Sequence, residues 1–299
     1  MKKIILSVFL SVIILFSAAP VFAAGVSTNI DGIPVKYDIA PFIENNRVMV
    51  PLRAICENLG ATITASPYDG YNIIKVAKGG INIILYMGGT SIVNKDTVIK
   101  PEAKQYALVN DKSVKLDVIP SIKNYRIMVP LRFIVESLDC EIKYADSAIN
   151  INIDPLFIND IEINAVQYEY HMTMGGVIQQ IKGNGYINSI YDVIKNNIGA
   201  ETEAPESYSW MIHVDNQYYK AGQYDFLDLN GKSLQQYDIY TIYNYSSEAQ
   251  KNNPKAAVIH DVTKGQWHLF NGQALASLHE LVQQSTRNGF LEVISNTVV

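Results

Sequence analysis

Cysteine is nearly absent from this chain: only Cys56 and Cys140 occur, which excludes a disulfide-dense secreted scaffold and leaves a single bridge as an option that nothing in the sequence requires. Basic runs are missing after Lys2-Lys3, and 24 Lys and Arg stand against 29 Asp and Glu. A phosphate-neutralising surface is therefore not expected, and nucleic acid is excluded as an expected partner. No Gly-x-Ser-x-Gly or phosphate loop is present, and neither cysteine lies in the second half. After the first residues no hydrophobic stretch reaches spanning length, so no stable membrane span is expected.

What is present begins with an export pattern. Met1-Lys2-Lys3, the apolar run Ile4 to Phe16 and the small residues up to Ala23-Ala24 have the three-part layout of a signal peptide, with cleavage expected after Ala23 (segment 1–23). The remainder is long enough for two domains, and a composition of 48% hydrophobic and 10% aromatic residues argues for packed cores.

Sliding the sequence on itself gives one strong match at an offset of 79 residues, where Arg47-Val-Met-Val-Pro-Leu-Arg53 lies over Arg126-Ile-Met-Val-Pro-Leu-Arg132. Upstream, Val35-Lys36, Asp38, Pro41, Ile43 and Asn45 meet Val114-Lys115, Asp117, Pro120, Ile122 and Asn124; downstream, Ile55, Glu57, Leu59 and Ile63 meet Ile134, Glu136, Leu138 and Ile142. Each copy (cores 30–63 and 109–142) reads as strand, turn, strand, helix, strand. Asn45-Asn46 and Asn124-Tyr125 supply turn chemistry. Pro51 and Pro130 are expected at the first helical position, where a missing N–H costs nothing. Leu52, Ile55, Cys56 and Leu59, like Leu131, Ile134, Val135 and Leu138, recur at i, i+3, i+4, i+7 and mark one buried stripe. Cys56 aligns with Val135 on that stripe, so it reads as a core residue rather than a reactive thiol. Arg53 and Arg132 precede Glu57 and Glu136 by one helical turn, the spacing of an intrahelical ion pair, and Asp38 and Asp117 are placed to accept from arginines or turn amides. No catalytic set occurs among the repeated residues.

These residues resemble the copper amine oxidase N-terminal, or stalk-like, domain family of exported Gram-positive proteins. The resemblance runs from about Ile30 to Ile153 and rests on Asp38, Pro41, Asn45, Arg47 and Val50-Pro51-Leu52-Arg53 with their partners Asp117, Pro120, Asn124, Arg126 and Val129-Pro130-Leu131-Arg132. It implies a unit in which an antiparallel sheet curls around a helix, with no copper site and no oxidase activity. Ile81 to Val93, with the turn Gly88-Gly89-Thr90, would form a hairpin completing the sheet.

After Asp154-Pro155 the repeat stops and tyrosine and asparagine become frequent, which places a boundary there. Ile161 to Met174 reads as a strand and Ile187 to Ile198 as an amphipathic helix ended by Gly199. Strands are expected at Tyr218 to Ala221 and Tyr224 to Leu229, hairpins at Asn230-Gly231 and Thr263-Lys264-Gly265, and a helix at Ala274 to Thr286. Thr241-Ile-Tyr-Asn244-Tyr245-Ser246 approaches the segment whose tyrosine becomes the quinone of copper amine oxidases, but serine replaces its acid and no His-x-His copper-ligand pair exists. His260, His268 and His279 lie at intervals that match no metal-ligand template. The tyrosine series around Tyr240, Tyr243 and Tyr245 suits either a strand or a stacking surface.

The fold expected is α+β: a duplicated antiparallel sheet-around-helix module at 26–154, and a separate α+β domain at 156–299. The leading functional expectation is a secreted or cell-wall-associated, non-catalytic scaffold displaying a C-terminal domain that binds a cell-envelope polymer or surface protein. Its candidate contacts are Tyr240, Tyr243, Tyr245, His260 and His268. The competing expectation is an extracellular hydrolase using His260 or His268 with a carboxylate. No metal ligand, catalytic residue or cofactor is assigned.

Overall fold

The computed structural model describes residues 26–68, 71–87, 104–145, 148–172, 174–210, 217–242 and 255–298. The signal segment, the Gly88-Gly89-Thr90 turn, Tyr243 and Tyr245 lie outside them. The described residues are mostly β-sheet with four helices, an α+β arrangement.

Residues 26–152 contribute three sheets and two short helices. Strands β1 (Ser27–Ile30), β2 (Ile33–Pro34), β3 (Phe42–Glu44) and β4 (Arg47–Pro51) lead into helix α1 (Leu52–Asn58), then β5 (Thr62–Tyr68), β6 (Tyr71–Lys78) and β7 (Ile81–Met87). Next come β8 (Tyr106–Val109), β9 (Lys112–Lys115), β10 (Ser121–Lys123), β11 (Arg126–Pro130), α2 (Leu131–Ser137), β12 (Glu141–Ala145) and β13 (Ala148–Asn152). Strands β4 and β11 pair antiparallel with Val50 opposite Val129. Those two valines are 79 residues apart, the offset of the sequence repeat, so the repeated Val-Pro segments pair with each other. Sheet β12-β13-β1-β2 and sheet β5-β6-β7-β8-β9 each draw strands from both halves of this segment. β7 is inserted between β6 and β8, where β13 meets β1 directly.

The same relation explains the arginines. Arg47 donates from Nε and Nη2 to Asp117 Oδ2 at 2.9 and 2.5 Å, and Arg126 Nε donates to Asp38 Oδ2 at 2.5 Å. Each arginine thus reaches the aspartate of the opposite segment. All four side chains are about half exposed, so the pairs set geometry more than they add stability. Within the helices Arg53 and Arg132 face Glu57 and Glu136 at 3.9 and 3.8 Å, the one-turn pairing that their spacing predicts.

Pro51 and Pro130 do not occupy the first helical position. Both sit one residue earlier, as N-caps with φ −61° and ψ 119°, because they also end the β4 and β11 ladders and must keep extended backbone. Both helices close by a Schellman motif: Gly60 and Ala61 donate to Glu57 and Cys56 carbonyls, as Asp139 and Cys140 do to Glu136 and Val135. Asp139 holds φ +56° there and its side chain is exposed. Since glycine takes this conformation without a Cβ clash, Asp139→Gly is expected to raise stability by about 0.5–1 kcal/mol, read from the urea midpoint. An unchanged or lower midpoint would show that the aspartate side chain offsets its own strain. Cys56 and Cys140 are unpaired and buried, and burial pushes the Cys56 thiol far above the ordinary thiol range, which suits a packing role.

Beyond Ile153 come the hairpin of β14 (Phe157–Ile158) and β15 (Ile161–Glu162) and one large sheet. Its strands are β16 (Ala165–Met172), β17 (Gly175–Ile181), β18 (Ile198–Thr202), β19 (Tyr208–Ser209), β20 (Tyr218–Leu227), β21 (Ser233–Ile242), β22 (Ala257–Asp261), β23 (Gln266–Phe270) and β24 (Leu291–Asn296). The order is β18-β23-β22-β21-β20-β16-β17-β24, antiparallel throughout, with β19 added in parallel to the start of β20. Helices α3 (Asn184–Asn197) and α4 (Ala274–Asn288) cover one face and bury Ile187, Ile190, Ile194, Leu278 and Leu281 against Tyr237, Ile239 and Ile259. Three expectations need correction. The strand 161–174 is instead the end of one hairpin plus β16, which turns back into β17. Gly199 lies inside β18, where an added Cβ would come within 3.3 Å of Leu269; it serves close strand packing, and the helix ends two residues earlier. The two strands 218–221 and 224–229 form one strand with a bulge between Lys220 and Gly222.

Buried apolar side chains fall mainly into one cluster drawn from Ile30 to Ile153 and another from Ile158 to Phe290. The two segments meet through polar contacts. Asp31 accepts from the amides of Ile153 (3.0 Å) and Asn184 (2.9 Å), so a turn between β1 and β2 supplies a carboxylate to the start of α3. Burial raises the Asp31 pKa, with those amides opposing the rise. Ser189 donates to the Gly60 carbonyl at 2.8 Å, and Arg287 of α4 lies 3.6 Å from buried Glu57 of α1.

Candidate functional site

The face of the large sheet turned away from the helices carries a second, smaller cluster. Alternation along β21 sends Tyr237 and Ile239 to the helices and Asp238 and Tyr240 outward. Neighbouring strands add His260 and Trp267, which pair across β22 and β23. Tyr240 and Trp267 rings lie 5.2 Å apart, His260 stacks on Trp267 at 4.5 Å, and Tyr208 packs against both Tyr240 and Trp267 at 5.0 and 5.2 Å. Trp210 stacks on His171 at 3.9 Å. At the centre Lys220 Nζ donates to Asp238 Oδ2 at 2.5 Å with both side chains buried, and it lies 3.9 Å from the Trp210 ring centroid. Gln236 donates to the other Asp238 oxygen at 3.1 Å.

The polar groups of this face are largely committed to one another, including His171, which pairs with Glu169 at 2.9 Å. Asp238 is already engaged by Lys220, Gln236 and the Tyr240 hydroxyl (3.4 Å). Desolvation lowers the His260 pKa and so favours its neutral ring, while burial and the Asp238 charge raise the Tyr240 phenol. Tyr240 is only 4% exposed and Trp267 9%, whereas Tyr208 is 48% exposed. Tyr240 therefore supports the face and Tyr208 presents it.

The histidines separate. His260 stays on the outward face, but His268 follows Trp267 directly in β23 and pairs with Ile259 on the opposite face. His279 is exposed on α4 and bonds Gln283 at 2.7 Å. Among the described residues no group of three or more His, Cys, Asp or Glu side chains is placed to hold a metal ion. Lys220, Asp238, His171, Tyr208 and both tryptophans were missed as candidates. The tryptophans, only two in the chain, were the available signal.

A larger concavity lies elsewhere. A groove of about 650 Å³ opens between α1, β5 and β6, the β10–β11 turn and the end of α4. Its floor includes Leu52, Ile63 and Ile74, and Arg53 and Arg126 stand on its rim. The corresponding concavity beside α2 measures only about 160 Å³.

The first segment is thus an α+β unit whose two halves exchange strands and ion pairs around β4 and β11. Residues 29–153 match the copper amine oxidase N-terminal domain family. No curated protein and no solved structure matches.

Proposed function

We propose that this chain is an exported, non-catalytic scaffold of the cell surface or surrounding medium, in which a duplicated stalk-like module (26–154) carries a C-terminal domain (156–299) that binds a cell-envelope polymer or surface protein. Export is inferred from the Met1 to Ala24 pattern. The observation that carries the binding reading is the outward face of the large sheet, where Tyr208, Trp210, His171 and His260 offer rings backed by a neutralised Lys220–Asp238 pair. Rings held in place by packing lose little freedom on stacking against a sugar or peptide. Against the hydrolase alternative, Asp238, a carboxylate near His260, is already bound by Lys220.

The test is retention of the full chain on purified peptidoglycan and on culture-surface extract, beside the Tyr208→Ala/Trp210→Ala variant. Retention by the parent and a loss of about tenfold in the variant are expected, the size of an aromatic anchor. Equal retention of the two proteins would move binding away from this face.

A further inference from the structure

The 79-residue relation offers an internal comparison between the two concavities. At the position of Phe133 the first copy has Ala54, and at the position of Tyr144 it has Ala65. Around α2 that aromatic pair occupies the surface beside helix and strand, and Arg132 lies over the Tyr144 ring at 5.5 Å. Around α1 both aromatics are replaced by methyl groups, while Arg53 stands for Arg132 and Ile63 for Ile142. The first groove is correspondingly about 650 Å³ against about 160 Å³, with the end of α4 adding a wall.

We propose that this groove is a docking site for an aromatic side chain carried on an acidic segment of a partner protein. The second copy shows what the first lacks, an aromatic ring lying beneath the helix arginine. Charge points to the same partner. The ionic side chains lining the groove are Lys36, Arg53, Arg126 and Arg287 against Asp38 and Glu57, and Glu280 bonds Arg287 at 3.0 Å, which leaves a surplus of one positive charge. Carboxylates flanking the inserted ring would meet that rim. A third observation concerns Tyr125, which also lines the groove. It holds φ +61° in the β10–β11 turn and is 95% exposed. A bulky residue kept in a left-handed conformation costs stability, and its ring stands at the rim with room to stack on an incoming one. The site is independent of the face around Tyr208 and Trp210, so either reading can fail without the other.

The experiment is an NMR titration of the full chain with three synthetic peptides: acetyl-Glu-Glu-Phe-Glu-Glu-amide, the same peptide with Ala for Phe, and the same peptide with Lys for Glu. The first is expected to bind saturably at about millimolar concentration, shifting the Ala54 and Ala65 resonances, with the other two weaker by about tenfold. Ala54→Phe writes the second copy's residue into the first and is expected to weaken binding about tenfold by filling the pocket. Ala65→Tyr, at an exposed strand position, tests the same point should Ala54→Phe disturb the helix. Equal binding of the Phe and Ala peptides, or of the acidic and basic ones, would overturn the proposal, as would full affinity in both filled variants. Self-association of the parent chain that Ala54→Phe abolishes would identify the occupant as a second copy and overturn it as well.

Discussion

Gly60→Ala is expected to lower the unfolding free energy by about 2–5 kcal/mol, combining left-handed backbone strain with overpacking. Gly60 ends α1 at φ +77°, and a Cβ there would lie 2.2 Å from the Gly185 carbonyl oxygen, 2.5 Å from its carbon and 2.7 Å from Ser189 Oγ. Gly185 has the reciprocal problem, since its own Cβ would fall 2.7 Å from the Leu59 carbonyl oxygen. Neither backbone can retreat without releasing the Ser189 to Gly60 hydrogen bond and the Asp31 contact at the start of α3. Gly231→Ala provides a matched control, because Gly231 has the same φ of +77° with nothing within 4 Å of the added Cβ. It isolates the backbone cost, about 1 kcal/mol. Denaturant unfolding of both variants gives the contact contribution by difference. Equal losses would mean that α1 and α3 are not held at this separation in solution.

How far these features could be read beforehand depended on their range. The stripe Leu52, Ile55, Cys56, Leu59 was legible because helical periodicity is local, and all four residues are buried. That Gly60 ends the helix was legible for the same reason. That it must be glycine to admit Gly185 was not, because the contact joins distant parts of the chain. The exchanged pairs Arg47–Asp117 and Arg126–Asp38 were half legible: the residues were singled out, but their crossing follows from the β4–β11 register. Asp31-Gly32, Asn110-Asp111 and Asn159-Asp160 form two-residue turns with positive φ at both positions, and their Asp-Gly and Asn-Asp chemistry was an available signal. In the outward cluster, adjacency in β23 alone requires Trp267 and His268 to face opposite ways. Which of them joins Tyr240 depends on strand order, which local pattern does not contain. The α1 groove was invisible for a related reason: Ala54 and Ala65 are unremarkable until their counterparts Phe133 and Tyr144 are seen in place.

Lys220→Met should cost about 3–5 kcal/mol, the penalty for leaving one member of a buried ion pair without its partner. The Asp238 side chain is 7% exposed, and without Lys220 it keeps, among the described residues, Gln236 and the more distant Tyr240 hydroxyl. The same change removes the cation over the Trp210 ring, so a shift in tryptophan emission should accompany the loss of stability. The informative comparison is the double variant Lys220→Met/Asp238→Leu, which removes both charges and is expected to recover most of the loss, since an apolar pair of similar volume can replace a buried ion pair at little net cost. Urea unfolding of the single and double variants separates two roles. Recovery of stability together with loss of envelope retention would make the pair a device for orienting Trp210 and Tyr240 on the outward face. Recovery of both would assign the pair to packing alone and leave Tyr208 and Trp210 as the residues on which the binding reading rests.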